Sequence, residues 1–221
     1  LDLEFSSADL LKSFVSLRSG AKRIRNLVLS LRNFSRFDES EIKTVDIHEG
    51  LDSTLAMLTP DLEGITIEKD YGDLPVIECC ASQLNQVFMH VIRNAIDALN
   101  SAKAAAEKED QALTEPPTIK LSTSMTDETH AIVWVNDNGP GIPAEIQDKI
   151  FDPFFTTKEV GKGTGLGLAI SYQIVSAQHG GRLKCYSVPG SGAKFSIELP
   201  VKLPRQRELL ASANQAQLVR A

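Results

Sequence analysis

The chain has 221 residues, 42% of them apolar and 24% charged, which is the composition of an ordinary soluble protein with room for one full core and an appendage. Its 23 basic and 29 acidic side chains leave a net charge of −6, and that sign disfavours nucleic acid as the main partner. No apolar run approaches the roughly 20 residues that span a bilayer and no leader pattern opens the chain, so no membrane contact is expected of it.

In the first 36 residues Leu10, Phe14, Leu17, Ala21, Ile24, Val28 and Leu31 recur in alternating steps of four and three. This is a heptad seam of about three repeats, and a lone helix cannot bury it, so a partner helix is implied. SRFDESEIKT reads as a polar linker, and the texture changes at Val45. Asp46 with Glu49 resembles a capping box opening a helix through Leu51, Leu55 and Leu58 that stops before Pro60. ITIEKDY and PVIECC are short strands. Cys79 and Cys80 are adjacent and Cys185 is remote, which fits neither paired metal ligands nor a disulfide set and predicts reduced, partly buried thiols.

A long helix is predicted from Ala81 to about Ser101, and its stretch FMHVIRNAIDAL carries an unusual face. Phe88, Val91, Ile92, Ala95 and Leu99 form the side that a sheet would bury, whereas His90, Arg93, Asn94 and Asp97 share the other at i, i+3, i+4 and i+7. A merely solvated stripe is usually built of Lys and Glu; His, Arg, Asn and Asp are ligand groups. SAKAAAEKEDQALTEPP reads as fraying helix and then a surface loop, and IKLSTSM and HAIVWVND as strands, the second apolar enough to be central. The helix LGLAISYQIVSAQHGG, closed by a glycine pair, and the hairpin RLKCYS/AKFSIELP around VPGSG complete the fold, with a polar tail from Arg205. The interleaved elements predict a two-layer α/β sandwich, a mixed sheet with helices on one face.

Two loops add to the polar stripe. DNGPGI puts Asp137 at a strand end, able to accept from an exocyclic amine, with Gly139 and Gly141 letting the main chain lie against a flat ring. GKGTGLG has glycine at 161, 163, 165 and 167 before a helix, an arrangement of free amides that favours phosphate, with Lys158 and Lys162 beside it. It is not a Walker loop, because Gly163 follows Lys162. GPGIPA also fits a dinucleotide fingerprint, but AEIQDKI is cut short by Phe151, Asp152 and Pro153 where that fold needs a long helix.

A polar helix stripe, a strand-end Asp with glycines and a glycine-rich lid, in this order over roughly residues 45–201, resemble the ATP-binding domain shared by sensor histidine kinases, DNA gyrase, heat-shock chaperone ATPases and mismatch-repair ATPases. The resemblance implies the Bergerat-type fold of that domain, with ATP and Mg²⁺ as ligands. It implies that Asn94 places its amide oxygen on Mg²⁺, with Asp97 nearby, and that Asp137 reads the adenine amine. Gly139, Gly141 and Ile142 would shape the adenine pocket and Phe151 and Phe154 would anchor the lid. Lys158, Gly163, Thr164, Gly165, Leu166 and Gly167 would face the phosphates. For Arg93 and Asp97 a surface salt bridge is an equal reading.

The ATP-hydrolysing branches resemble one another in a Glu one turn before the magnesium asparagine; here that position is His90, similar to the chemotaxis kinases, which places it among the candidate catalytic residues with Asn94 and Lys158. FDPFFTTK with GKGTGLGLAIS resembles sensor-kinase lids, and the heptad helix resembles the second helix of their dimerisation hairpin. An acceptor motif is missing, since His48, His90, His130 and His179 all lie beyond the N-terminal helix. Residues 1–44 are therefore expected to be a truncated dimerisation hairpin, 45–203 the ATP-binding catalytic domain and 204–221 a tail. The expected activity of the full-length protein is transfer of the ATP γ-phosphate to histidine, with a response-regulator receiver domain as cytoplasmic partner and a homodimer through the N-terminal helix. An ATP-driven conformational machine, or a nucleotide-binding module without transfer, are the competing expectations.

Overall fold

The structure, a computed structural model, describes residues 41–108, 115–158 and 163–203. The heptad segment, the tail from Arg205, and Gly161 and Lys162 of the glycine-rich stretch lie outside the described residues.

Strand β1 (Lys43–Val45) pairs antiparallel with β3 (Ile77–Cys79), so the last two residues of the expected linker belong to the folded unit. Helix α1 spans Ile47–Leu58, and the Asp46 carboxylate caps it by accepting from the His48 amide at 2.8 Å. A single 3-10 turn carrying Pro60 follows, and β2 spans Thr66–Tyr71. Helix α2 runs from Ala81 to Lys108 rather than fraying near Ser101. The added residues, rich in Ala, Lys and Glu, are strong helix formers that sustain the helix beyond its packed portion. After β4 (Thr118–Met125) and β5 (His130–Asp137) come the short helix α3 (Ala144–Gln147), helix α4 (Gly167–Tyr172), β6 (Arg182–Ser187) and β7 (Ala193–Pro200).

Five strands form a mixed sheet in the order β2-β4-β5-β7-β6, in which only β2 and β4 are parallel. A parallel pair needs a crossover, and the chain between β2 and β4 supplies it through α2. Leu84, Val87, Phe88, Val91, Ile92, Ala95, Ile96 and Leu99 are the buried side of α2. They join Ala131, Val133 and Val135 of β5 in one core, where each fully buried large side chain contributes about 1.5–3 kcal/mol. The opposite sheet face is open: Ile132 and Trp134 are half-buried and the Lys194 ammonium sits 4.0 Å over the Trp134 ring. This is the expected two-layer sandwich with its helices on one face.

The helix predicted over LGLAISYQIVSAQ is α-helical only to Tyr172 and continues as π-helical turns over Gln173–Gln178. Ser176 Oγ donates back to the Tyr172 carbonyl in this region, a bond that competes with regular helical pairing. His179 closes the segment, buried to 2% exposure. Its Nε2 accepts from the Cys80 amide at 3.1 Å, so Nδ1 carries the proton toward the Ile174 carbonyl at 2.8 Å. His179 therefore acts as a neutral bridge between α2 and the π turn rather than as a charged partner of a helix dipole, and burial pushes its pKa down. Because the folded value lies below the ordinary 6.5, the stabilisation is complete above that pH and is lost as pH falls through the folded value. We expect His179→Gln to flatten the loss of thermal stability between pH 7.5 and pH 5.5; an unchanged slope would remove His179 from that loss.

Candidate functional site

The expected site residues lie on α2, at the end of β5 and in the chain from there to the start of α4. Alternation along β5 buries Ala131, Val133, Val135 and, as the next inward position, Asp137. A carboxylate is thereby aimed at the helix layer with 3% exposure. Its Oδ1 accepts from the Gly139 amide at 2.9 Å and from the Ala193 amide at 3.3 Å, and Oδ2 carries neither bond. Burial pushes the Asp137 pKa up, while the amides of Gly139 and Ala193 oppose that rise. A Cβ on Gly139 would lie 2.8 Å from that Oδ1 and 3.4 Å from Ala98 Cβ, so this glycine lets the loop close between the strand end and α2. Gly141 has φ +74, and a Cβ there would lie 2.3 Å from the Val188 carbonyl oxygen. The Ile142 amide donates to Ser187 Oγ at 2.8 Å, and Gln147 Nε2 ties the Ile142 and Ser187 carbonyls together, each at 2.8 Å.

On α2 the Asn94 amide oxygen and the Asp97 carboxylate converge on one cation, the Lys158 ammonium, at 3.4 and 2.5 Å. Three residues from two separate sequence motifs thus meet at one point. Both partners of the Lys158–Asp97 pair are about a third exposed, at 35% and 39%, so the pair contributes little to stability. Arg93 turns away from this point and pairs with Asp61 at 2.7 Å, which makes it the surface salt bridge of the two readings. His90, one turn earlier, lies against the glycine turn: its Nδ1 is 3.2 Å from Ser171 Oγ, and a Cβ on Gly167 would lie 3.4 Å from its ring. Burial pushes the His90 pKa down, against a raising bond to the Gly167 backbone.

The lid closes on itself at its base. The Phe154 amide donates to the Gly165 carbonyl at 2.9 Å, with Gly165 at φ +66 against the Phe154 backbone. Gly163 sits beside Thr156 and Lys158, where a Cβ would lie 3.2 Å from Lys158 Cδ. Thr164 Oγ1 accepts from the Leu166 amide at 3.4 Å, and Leu166 is buried. Phe151 packs on the core with its ring 5.6 Å from Tyr172. Phe154 does not anchor by its side chain, which is 61% exposed on a left-handed backbone at φ 67; Phe155 packs against the core instead. One phenyl cannot serve both faces of a turn, and the backbone bond to Gly165 turns Phe154 outward. Ser171, Ala193 and Ala98 are contacts that sequence reasoning missed, because each meets its partner only through the tertiary fold.

Residues 80–203 match the family described as histidine kinase-, DNA gyrase B- and HSP90-like ATPases. The chain belongs to that family. Among the chain's relatives, the sensor kinase CckA of Brucella abortus (strain 2308) is 36% identical over 197 residues, covering 87% of this chain and 20% of that protein. The signal transduction histidine-protein kinase AtoS of Escherichia coli (strain K12) is 32% identical over 183 residues, covering 80% of this chain and 27% of that one. The chain thus spans about a fifth to a quarter of the length of these two curated relatives. Among solved structures, the catalytic domain of histidine kinase ThkA aligns with TM-score 0.60 and 27% identity over 73% of this chain and 99% of that chain. Full-length ShkA in complex with AMPPNP aligns with TM-score 0.68 and 27% identity over 86% of this chain and 38% of that chain. No helix among the described residues is long and apolar enough to cross a membrane.

Proposed function

We propose that this chain is the ATP-binding catalytic region of a sensor histidine kinase, transferring the γ-phosphate of ATP to a histidine for relay to a response-regulator receiver domain in the cytoplasm. In this reading residues 1–44 are the second helix of a dimerisation hairpin that carries the homodimer, 45–203 bind the nucleotide, and 204–221 are a tail. The observation that carries the choice of transfer over hydrolysis is the identity of the residue one turn before Asn94. It is His90, packed on Ser171 and depressed in pKa, where a hydrolase needs a carboxylate to activate water. Asp97, on α2 itself, is engaged with Lys158, and Asp137 with two main-chain amides.

The residues fit a magnesium nucleotide. Asn94 and Asp97 already hold a cation, the Lys158 ammonium, in common, and a neutral amide oxygen with one carboxylate suits an ion that takes its remaining ligands from water and phosphates. When bound, that ion neutralises charge on the phosphates. Asn94 and Asp97 would hold it, Lys158 would meet the γ-phosphate, and Asp137 would accept from the adenine amine while Gly139, Gly141 and Ile142 frame the ring. Transfer forms a bond from phosphorus to an imidazole nitrogen and breaks the bond to the ADP oxygen, so the chain's part is positioning and charge neutralisation. The ShkA complex with AMPPNP, at 27% identity, supports adenine-nucleotide binding at this fold.

Incubating the chain with γ-labelled ATP and an acceptor hairpin added in trans tests the proposal. Acid-labile, alkali-stable label on the hairpin's histidine is expected. Steady phosphate release with no labelled histidine would overturn it in favour of an ATP-driven machine, and binding without either product in favour of a regulatory module.

A further inference from the structure

Ser171 is fully buried, at 0% exposure, on the turn of α4 that follows the glycine loop. Its hydroxyl proton goes to the Gly167 carbonyl at 2.9 Å. A hydroxyl has one proton, so the bond of 3.2 Å to His90 Nδ1 must run the other way, with the ring N–H donating to Ser171 Oγ. This sets the neutral tautomer of His90: Nδ1 bears the hydrogen. The ring also lies flat against Gly167, where a Cβ would come within 3.4 to 3.7 Å of its Cγ, Cδ2 and Cβ atoms. Two elements 81 residues apart in the chain are thereby clasped at one point, one turn of α2 before Asn94.

We propose that His90 and Ser171 are positioning residues, a polar clasp that holds the Gly163–Gly167 turn at a set distance from Asn94. The inference rests on the ATP-binding reading and gives His90 a role different from contact with phosphate. The bond to Ser171 is made through Nδ1. The clasp is a buried polar tie between α2 and α4 that adds to the apolar packing of Leu166 and Ile170 and to the Phe154–Gly165 backbone bond, so its loss loosens the turn. What suffers is the part of affinity that depends on phosphates, because adenine is read at the Asp137 end.

The geometry supplies its own rescue. An asparagine side chain places Nδ2 at the same distance from Cβ as imidazole Nδ1 and has nothing at the position of Nε2. Calorimetric affinities of the full chain for ATP and adenosine, measured for Ser171→Ala, His90→Ala and His90→Asn, test the clasp. Ser171→Ala and His90→Ala are expected to weaken ATP about tenfold, ~1.4 kcal/mol, and adenosine by less than about twofold. His90→Asn is expected to recover most of the ATP affinity lost in His90→Ala. Equal weakening of adenosine and ATP would reduce the clasp to a fold contact, and His90→Asn as weak as His90→Ala would return the role to Nε2. ATP affinity unchanged in Ser171→Ala would sink the clasp alone, whereas no ATP binding by the unaltered chain would sink the nucleotide reading and the clasp with it.

Discussion

Asn94→Ala is expected to abolish the magnesium dependence of nucleotide binding and to lower ATP affinity about a hundredfold, ~2.7 kcal/mol, in the presence of the ion. The amide oxygen of Asn94 is one of two acceptors on α2 that converge on the Lys158 ammonium. Asp97 alone keeps its ion pair with Lys158, so the alanine variant favours the internal pair over an external cation. Asn94 is half-buried on a well-packed helix, and the variant is expected to fold with near-parental stability. Titration by calorimetry with and without magnesium decides the matter. Equal affinities in the two conditions for the parent, or an intact magnesium dependence in the variant, remove Asn94 from the site.

Asp137→Asn is expected to weaken ATP by about tenfold to a hundredfold, ~1.4–2.7 kcal/mol, the scale of a hydrogen bond to a charged acceptor, and to affect GTP less. The amide oxygen of Asn can replace Oδ1 toward Gly139 and Ala193. Its NH₂ then stands where Oδ2 was, donor facing donor. Stability moves the other way. Burial holds the Asp137 pKa above its ordinary 3.8, so the protonated form adds stability that is present below the ordinary value and lost as pH rises through the folded value. Burial disfavours the charged carboxylate, so the uncharged variant is expected to melt at the same temperature or higher. ATP affinity in the parent also falls on acidification earlier than an ordinary carboxylate would dictate. Equal losses for ATP and GTP would defeat the adenine-reading role.

How much of this was legible beforehand differs by element. The strands β4 and β5 and the packed half of α2 carry long, unambiguous periods, so their types and faces followed from side-chain order. Strand β1 did not, because three residues, Lys-Thr-Val, hold no period and are organised by pairing with Ile77–Cys79. The far end of α2 was underread because an uncapped Ala-Lys-Glu run looks the same in a fraying helix and in a firm one. For the site, Asn94, Asp97 and Lys158 could be named from their motifs, but their convergence could not, since it depends on where the lid returns to the helix. The outward turn of Phe154 and the partnership of His90 with Ser171 are invisible in sequence for the same reason: each is decided by backbone placement across 11 or 81 residues.

The aim of Asp137 is a property of sheet register. It is inward because Ile119 and Ala193 stand opposite it on the neighbouring strands and because the strand alternates without interruption from Ala131. Inserting one residue anywhere in this run would leave composition and hydrogen-bonding capacity intact, yet rotate every following side chain by half a turn. The carboxylate would then emerge on the face of the sheet that carries Ile132 and Trp134, and the adenine specificity proposed for it would vanish without the carboxylate itself having been mutated.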